Sequence, residues 1–304
     1  MDKVLVFVDL DGTLLKDDKS IAEENLDIIR EAYNKYNVEI AIATARNATI
    51  AEGFAAELGS VCQYVICANG TTVKHMESDE YIHDKSFSTE KITELIDFCQ
   101  QNNLGFMAGA DKARYFPTGY EYIRDLDRFM SDKFPNSIQF VPDVNSYALD
   151  PNNKLILSAI IGEEEELLKH YEELKKISGI SVARLSHFST SGEYINASYF
   201  DVMGENVDKG TAMKVAAEHS GSSITVAFGD GNNDIEMLST ADYGFAMRNA
   251  DPVLMEAAKI ATINTNNESG VGKSLLSLLE YISERGILDI NKFKNRGVDT
   301  YDER

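Results

Sequence analysis

Two short runs in the 304-residue sequence gather carboxylates at spacings that bring them to one point. The first is Asp9-Leu10-Asp11-Gly12-Thr13, directly behind the apolar stretch 4–8. The second is Gly229-Asp230-Gly231-Asn232-Asn233-Asp234, directly behind the strand-like stretch 224–228. Asp230 at a strand end and Asp234 one helical turn on face the same side of the chain. Four carboxylates at one edge repel one another and demand a compensating cation. Hard oxygen donors select Mg²⁺, which takes few carboxylates and keeps positions for water and a substrate phosphate. With Asp11 protonated, the remaining three carboxylates balance one Mg²⁺ and one lysine, so a phosphate dianion meets a cavity of little net charge.

The elements that hold these runs are legible from periodicity. Val4-Leu5-Val6-Phe7-Val8 is continuously apolar rather than alternating, the pattern of a strand buried on both faces in a parallel sheet. Ser20 with Glu23 reads as a capping box, and Ile21, Ile28, Ile29, Ala32, Tyr33 and Tyr36 follow at helical spacing. A strand over 38–44, a helix over 50–58, a strand over 61–68 and an Asn69-Gly70 turn leading into 71–74 continue the alternation. It resumes later with a helix over 211–219, strand 224–228, helix 234–238, strand 243–247, the apolar 259–263 and a helix over 272–282.

Between them the texture changes. An amphipathic helix over 88–101 is followed by segment 104–110, a helix around 120–131, segment 138–147 and a strand over 154–161. A helix over 163–177 then opens on glutamates and closes on Lys175-Lys176, which suits its dipole. The expectation is a doubly wound parallel α/β core over 1–84 and 188–290, an inserted α/β unit over 85–187 and a polar extension over 291–304. Both acidic runs then lie beyond the carboxyl ends of parallel strands, where open α/β sheets bind ligands.

Charge narrows the partners. Asp and Glu number 50 against 29 Lys and Arg, a net charge of −21 that repels nucleic acid and an anionic membrane surface. A small phosphorylated substrate is compatible only if the site concentrates cationic charge locally. No basic leader, apolar signal core or run approaching 18 apolar residues occurs, so the expected location is cytoplasmic. Cys62, Cys67 and Cys99, an odd set without CxxC spacing, read as reduced core thiols.

The motifs also carry a resemblance. Asp9-Leu10-Asp11-Gly12-Thr13, Thr44 at the end of the second strand, Lys209-Gly210 opening a helix, and Gly229-Asp230 with Asn233-Asp234 resemble, in this order, the four motifs of the haloacid dehalogenase superfamily. The long insert, Ala68-Asn69-Gly70 and Ala246-Met247-Arg248-Asn249-Ala250 resemble its Cof-type sugar phosphatases with a type 2B cap. That resemblance implies a Rossmann-like core, an inserted α/β cap that closes over the site, and a Mg²⁺-dependent phosphatase of small phosphorylated metabolites, sugar phosphates first. It implies Asp9 as the nucleophile that becomes an aspartyl-phosphate, a role open to a group already ionised. Asp11 becomes the general acid and base, its backbone carbonyl offered to the metal. Thr44 donates to the transferring phosphoryl group, and Lys209 neutralises its oxygens and orients Asp9. Asp9, Asp11, Asp230 and Asp234 are the implied metal set, and Gly12, Ala45 and Asn233 join Thr44 and Lys209 around the phosphate. Two positions depart from the family pattern: Ala45 where Thr-Gly-Arg is common, and Arg248 where glycine is usual.

Competing readings are fewer. A phosphomutase of the same superfamily shares the phosphorylated aspartate, and a non-catalytic phosphate-ligand binding protein shares the pocket; the expected assembly is a monomer or weak homo-oligomer. An EF-hand fails because Ile235 and Ala241 stand where Gly and Glu are required, a P-loop because Asn267 takes the first glycine's place, and a dinucleotide fingerprint because Asp234 takes the third's. His75, His83, His170, His187 and His219 show no metal-ligand spacing and read as surface or packing residues.

Overall fold

The computed structural model describes residues 3–119, 128–150, 152–182, 185–190, 193–258 and 260–285. Its strands are β1 Val4–Val8, β2 Val38–Ala43, β3 Cys62–Cys67, β4 Thr72–His75, β5 Glu80–Asp84, β6 Gly105–Ala110, β7 Arg114–Pro117, β8 Ile138–Val141, β9 Leu155–Gly162, β10 Ile180–Val182, β11 Ser186–Thr190, β12 Glu193–Gly204, β13 Ile224–Gly229, β14 Tyr243–Ala246 and β15 Ile260–Ala261. Its helices are α1 Glu23–Tyr36, α2 Ala48–Leu58, α3 Thr89–Gln101, α4 Arg128–Lys133, α5 Val144–Leu149, α6 Glu164–Leu174, α7 Lys209–Ser220, α8 Ile235–Thr240, α9 Pro252–Ala257 and α10 Gly270–Arg285.

Contacts divide the chain into two compact units. One comprises Met1–Ala45, Phe54–His83 and Asp208–Arg304; the other comprises Arg46–Gly53 and Asp84–Val207. In the first, the sheet order is β15-β14-β13-β1-β2-β3-β4-β5. β13, β2 and, through them, β14, β15 and β3 run parallel to β1, and β4 turns back against β3. Leu5 and Phe7 pack with Ala41, Ala43, Met213, Ala216, Met237 and Leu238 on the face covered by α7 and α8. Val4, Val6 and Val8 point to the opposite face and are equally buried, which is why β1 carries no polar residue. This is the parallel-sheet α/β core that the sequence predicts.

The second unit has its own sheet, β10-β12-β9-β6-β7-β8, with β11 paired to β12. Except for the parallel β7–β8 pair it is antiparallel. Ile92, Leu95 and Ile96 of α3 and Leu167 and Leu174 of α6 pack on Phe106, Ala108, Ile160, Phe200 and Val202, so one sheet face is dressed by helices. Segment 46–53 also belongs here: Asn47 Nδ2 donates to the Ser137 carbonyl at 3.2 Å, and the Ala48 amide to the Asp111 carbonyl at 2.8 Å.

Several expectations shift. α1 starts at Glu23 behind Ala22, not at a Ser20 capping box, because Leu15 and Ile21 form a β-bridge and the Ser20 hydroxyl donates to Asp18 Oδ1 at 2.6 Å. Segment 138–147 splits into β8 and α5, with Asp143 capping α5 by accepting the Ser146 amide at 3.0 Å. The three strands over 180–204 were not foreseen; β12 lies in the second unit's sheet, past the sequence-based end of the insert at 187. The expected helix around 120–131 lies partly, and the extension 291–304 wholly, outside the described residues. Cys62, Cys67 and Cys99 are buried thiols outside any disulfide, and burial pushes the Cys62 and Cys99 thiols up to about 12. Among the described residues no helix is long and apolar enough to cross a membrane.

Candidate active site

The parallel register decides which residues meet. Val8 sits beside Phe228 on one side and Ile42 on the other, so Asp9, Thr44 and Asp230 leave the sheet at a common edge. The Asp9 amide still donates to the Phe228 carbonyl at 3.1 Å, which holds the first residue past β1 in line with the sheet. The chain then turns through Gly12 at φ 77°, where a Cβ would collide with the Asp230 carboxylate. Glycine is therefore required twice over, by conformation and by space. Thr13 Oγ1 donates to Asp230 Oδ1 at 3.1 Å and ties the two acidic runs together.

Lys209 arrives from the start of α7. Asp208 caps that helix, its carboxylate accepting from the Thr211 amide at 2.7 Å and hydroxyl at 2.8 Å. The Ala68-Asn69-Gly70 turn runs so close that a Cβ on Gly70, at φ 109°, would meet the Asp208 carbonyl. So seated, the fully buried Lys209 Nζ lies 2.6 Å from both Asp9 Oδ1 and Asp234 Oδ1. Asp234 Oδ2 accepts from the Asp230 and Gly231 amides, each at 3.0 Å.

The electrostatics point to a missing charge. One carboxylate oxygen from each of Asp9, Asp230 and Asp234 lies within 4.8 Å of the others. Three ionised carboxylates against one ammonium leave an excess of two negative charges. Burial raises the Asp9 carboxyl well above the usual range and Lys209 opposes this, while Asp234 and Asp230 push it further up. Burial and then Asp234 lift Asp230 to about 6. Burial alone would discharge Lys209, but Asp234 and Asp9 outweigh it and keep it an ammonium. An all-oxygen donor set carrying two surplus negative charges fits a hard divalent cation.

The other expected residues take distinct places. Asp11 stands on the same loop, but its carboxylate is outside the three-carboxylate cluster and pairs with Lys19 Nζ at 2.7 Å. Thr44, buried, is held by its amide to the Ile66 carbonyl at 2.9 Å and accepts the Asn69 amide at 3.0 Å; half-buried Ala45 follows it. Asn233 Nδ2 donates to Asn69 Oδ1 at 2.8 Å, joining the fourth motif to that same turn. The Arg248 guanidinium donates to the Ile263 carbonyl at 2.9 Å.

Some supporting residues escaped the sequence reading. Asn249 Nδ2 donates to the Gly12 carbonyl at 2.8 Å and its Oδ1 accepts the Asn266 amide at 3.0 Å. Buried Asn266 donates in turn to the Leu15 carbonyl at 3.0 Å and Asp17 Oδ1 at 3.1 Å, and Asn267 Nδ2 to Asp17 Oδ2 at 2.8 Å. These asparagines bracket the loop that carries Asp11 and Gly12. Asn249 was visible only as part of the Ala246–Ala250 resemblance, and nothing local marks Asn266 or Lys19.

Comparison with known proteins bears on this arrangement. A family model described as haloacid dehalogenase-like hydrolase matches residues 6–275. The 5-amino-6-(5-phospho-D-ribitylamino)uracil phosphatase YcsE of Bacillus subtilis is 26% identical over 277 residues, covering 90% of this chain and 95% of that protein. The HMP-PP phosphatase of Shigella flexneri is 28% identical over 280 residues, covering 91% and 96%. The crystal structure of a haloacid dehalogenase-like hydrolase from Bacteroides thetaiotaomicron superposes with a TM-score of 0.74 at 23% identity, covering 93% of this chain and 100% of that one. Matched from its first strand to its last helix by the family model, the chain belongs to the haloacid dehalogenase-like hydrolase family, among its Cof-type phosphatases.

Proposed function

We propose that this enzyme hydrolyses small phosphorylated metabolites, sugar phosphates first among them, in a Mg²⁺-dependent reaction through a phosphoryl group carried on Asp9. The observation that carries the reading is the buried Lys209 ammonium shared between Asp9 and Asp234 beside Asp230, a cluster two charges too negative as it stands. With Oδ1 held by Lys209, the other Asp9 oxygen attacks phosphorus and the bond to the substrate oxygen breaks. Asp11 gives that oxygen its proton, then takes one from a water that attacks the phosphorylated Asp9, and inorganic phosphate leaves. Lys19, 2.7 Å from Asp11, orients this carboxylate between the two half-reactions. Gly12, Thr44, Ala45 and Asn233 are assigned to the phosphoryl oxygens, with Lys209 balancing their charge. Mg²⁺, held by Asp9, Asp230 and Asp234 with the Asp11 carbonyl offered, supplies neutralisation of the phosphoryl oxygens when bound.

The inserted unit, 85–187 in the sequence-based division, is assigned to substrate selection, since the acidic cluster deals only with the phosphoryl group. The net charge of −21 supports a small substrate over a polyanion, and three buried thiols outside any disulfide support a reducing, cytoplasmic setting.

Release of inorganic phosphate from a panel of sugar phosphates and p-nitrophenyl phosphate, with Mg²⁺ or with EDTA, tests the proposal. Turnover that needs both the metal and Asp9, and is lost in Asp9→Asn, is the expected result. Exchange of label between positions of a hexose phosphate without free phosphate would establish a mutase instead, and binding without turnover a non-catalytic role.

A further inference from the structure

The opposite edge of the same sheet gathers a second set of donors, of another chemical kind. Tyr64 stands near the start of β3, His75 is its register partner at the end of β4, and His219 lies in the last turn of α7. The two imidazole centroids are 5.1 Å apart with their planes at 53°, and Tyr64 lies 5.1 Å from His75 and 5.7 Å from His219. Each ring has its Nδ1 engaged by a hydroxyl: His219 with Tyr64 Oη at 3.0 Å and His75 with Ser78 Oγ at 2.9 Å. Nε2 of each ring has no hydrogen-bond partner among the described residues, although His75 is only half-buried and His219 is exposed.

We propose that His75 and His219 bind one transition-metal dication of the Zn²⁺ type through their Nε2 atoms, with water completing the coordination. In the tautomer in which Nδ1–H donates to the hydroxyl oxygen, Nε2 is the lone-pair nitrogen, and an oxygen partner behind the distal nitrogen is the usual backing of a metal-bound histidine. Two Zn–N bonds of about 2.0–2.1 Å at a tetrahedral angle place imidazole centroids on the order of 5 Å apart, which is the spacing observed here. Burial, with Glu39 on the strand beside β3 adding to it, pushes the Tyr64 hydroxyl up to about 12, and Glu39 Oε2 is buried without a hydrogen-bond partner. Lys3 meets its Oε1 at 2.9 Å and also donates to the Ser220 carbonyl beside His219 at 3.0 Å, so this corner carries one balanced pair. Nitrogen donors exclude Mg²⁺ here, as the oxygen donors at the other edge favour it.

The test is a calorimetric titration of the full chain with ZnCl₂ in saturating Mg²⁺, paired with long-range ¹⁵N spectra of the histidine rings. Expected are one Zn²⁺ per chain, a shift of Nε2 in His75 and His219 alone, and survival of binding in Asp230→Asn. His75→Ala and His219→Ala should each weaken binding by about tenfold or more, and Tyr64→Phe, which removes the backing oxygen, by about tenfold. The exposed His219→Gln provides the same readout should His75→Ala fail to fold. No binding in Mg²⁺, binding indifferent to both histidines, or binding lost in Asp230→Asn overturns the proposal and leaves the cluster as aromatic packing.

Discussion

Helix α7 joins two contrasting neighbourhoods. At its first residue Lys209 is sealed from water with two carboxylates 2.6 Å away; in its last turn His219 is exposed, one ring nitrogen bonded and the other open. At the first end the Lys209 ammonium is wholly committed to Asp9 and Asp234, because a buried ammonium without partners is too costly to tolerate. At the second, water substitutes for any missing partner. The lesson is that substitutions at the carboxylate edge should disturb stability and turnover together, whereas those at the imidazole edge should separate them.

The largest expected effect comes from Lys209→Ala, which leaves Asp9 and Asp234 buried without their cation. A loss of about 3–5 kcal/mol in urea unfolding, with phosphate release abolished, is expected; a stable variant would break the contrast. Next is the response to Mg²⁺. Asp230 is raised to about 6, so the folded chain holds this proton more tightly than the unfolded one. That contribution is present below the ordinary carboxyl value and lost as pH rises through about 6. Protons therefore compete with the metal in acid, and the Mg²⁺-induced rise in Tm should be clearly larger at about pH 8 than at about pH 5. Asp230→Asn should flatten that difference.

A smaller effect sharpens the boundary of the carboxylate region. Asn266→Ala removes the donors to Leu15 and Asp17 and should cost about 1–3 kcal/mol, with kcat reduced because the loop carrying Asp11 and Gly12 loses its bracket. Smallest of all, His219→Ala should change stability by within about 0.5 kcal/mol and leave phosphate release intact. A fall in turnover there would mean that the two ends of α7 are not independent.

Much of the carboxylate edge was legible before any coordinates. The uninterrupted apolar run of β1 reads as a strand covered on both faces, which puts Asp9 just beyond a parallel strand, and β13, interrupted only by Thr225, puts Asp230 in the equivalent place. The second unit was harder to read. Ile180–Val182 and Glu193–Gly204 mix polar and apolar residues without clean alternation, and their strand state depends on pairing with one another and with β9. Helix starts were legible where the cap is local, as at Ser88, and misread where a bridge from Leu15 to Ile21 displaced the apparent box.

By itself, then, the sequence determined the order of motifs, the parallel core and the gathering of aspartates that raises the expectation of a cation, because each rests on spacing within one segment or on counting charge. Only the tertiary structure decided that Lys209 bridges Asp9 and Asp234, that Asp11 pairs with Lys19, that Asn266 reaches Leu15, and that two histidines without ligand spacing become neighbours. The physical reason is that a side chain's partner is set by strand register and helix seating across distant parts of the chain, and neither leaves a periodic trace in the residues that end up touching.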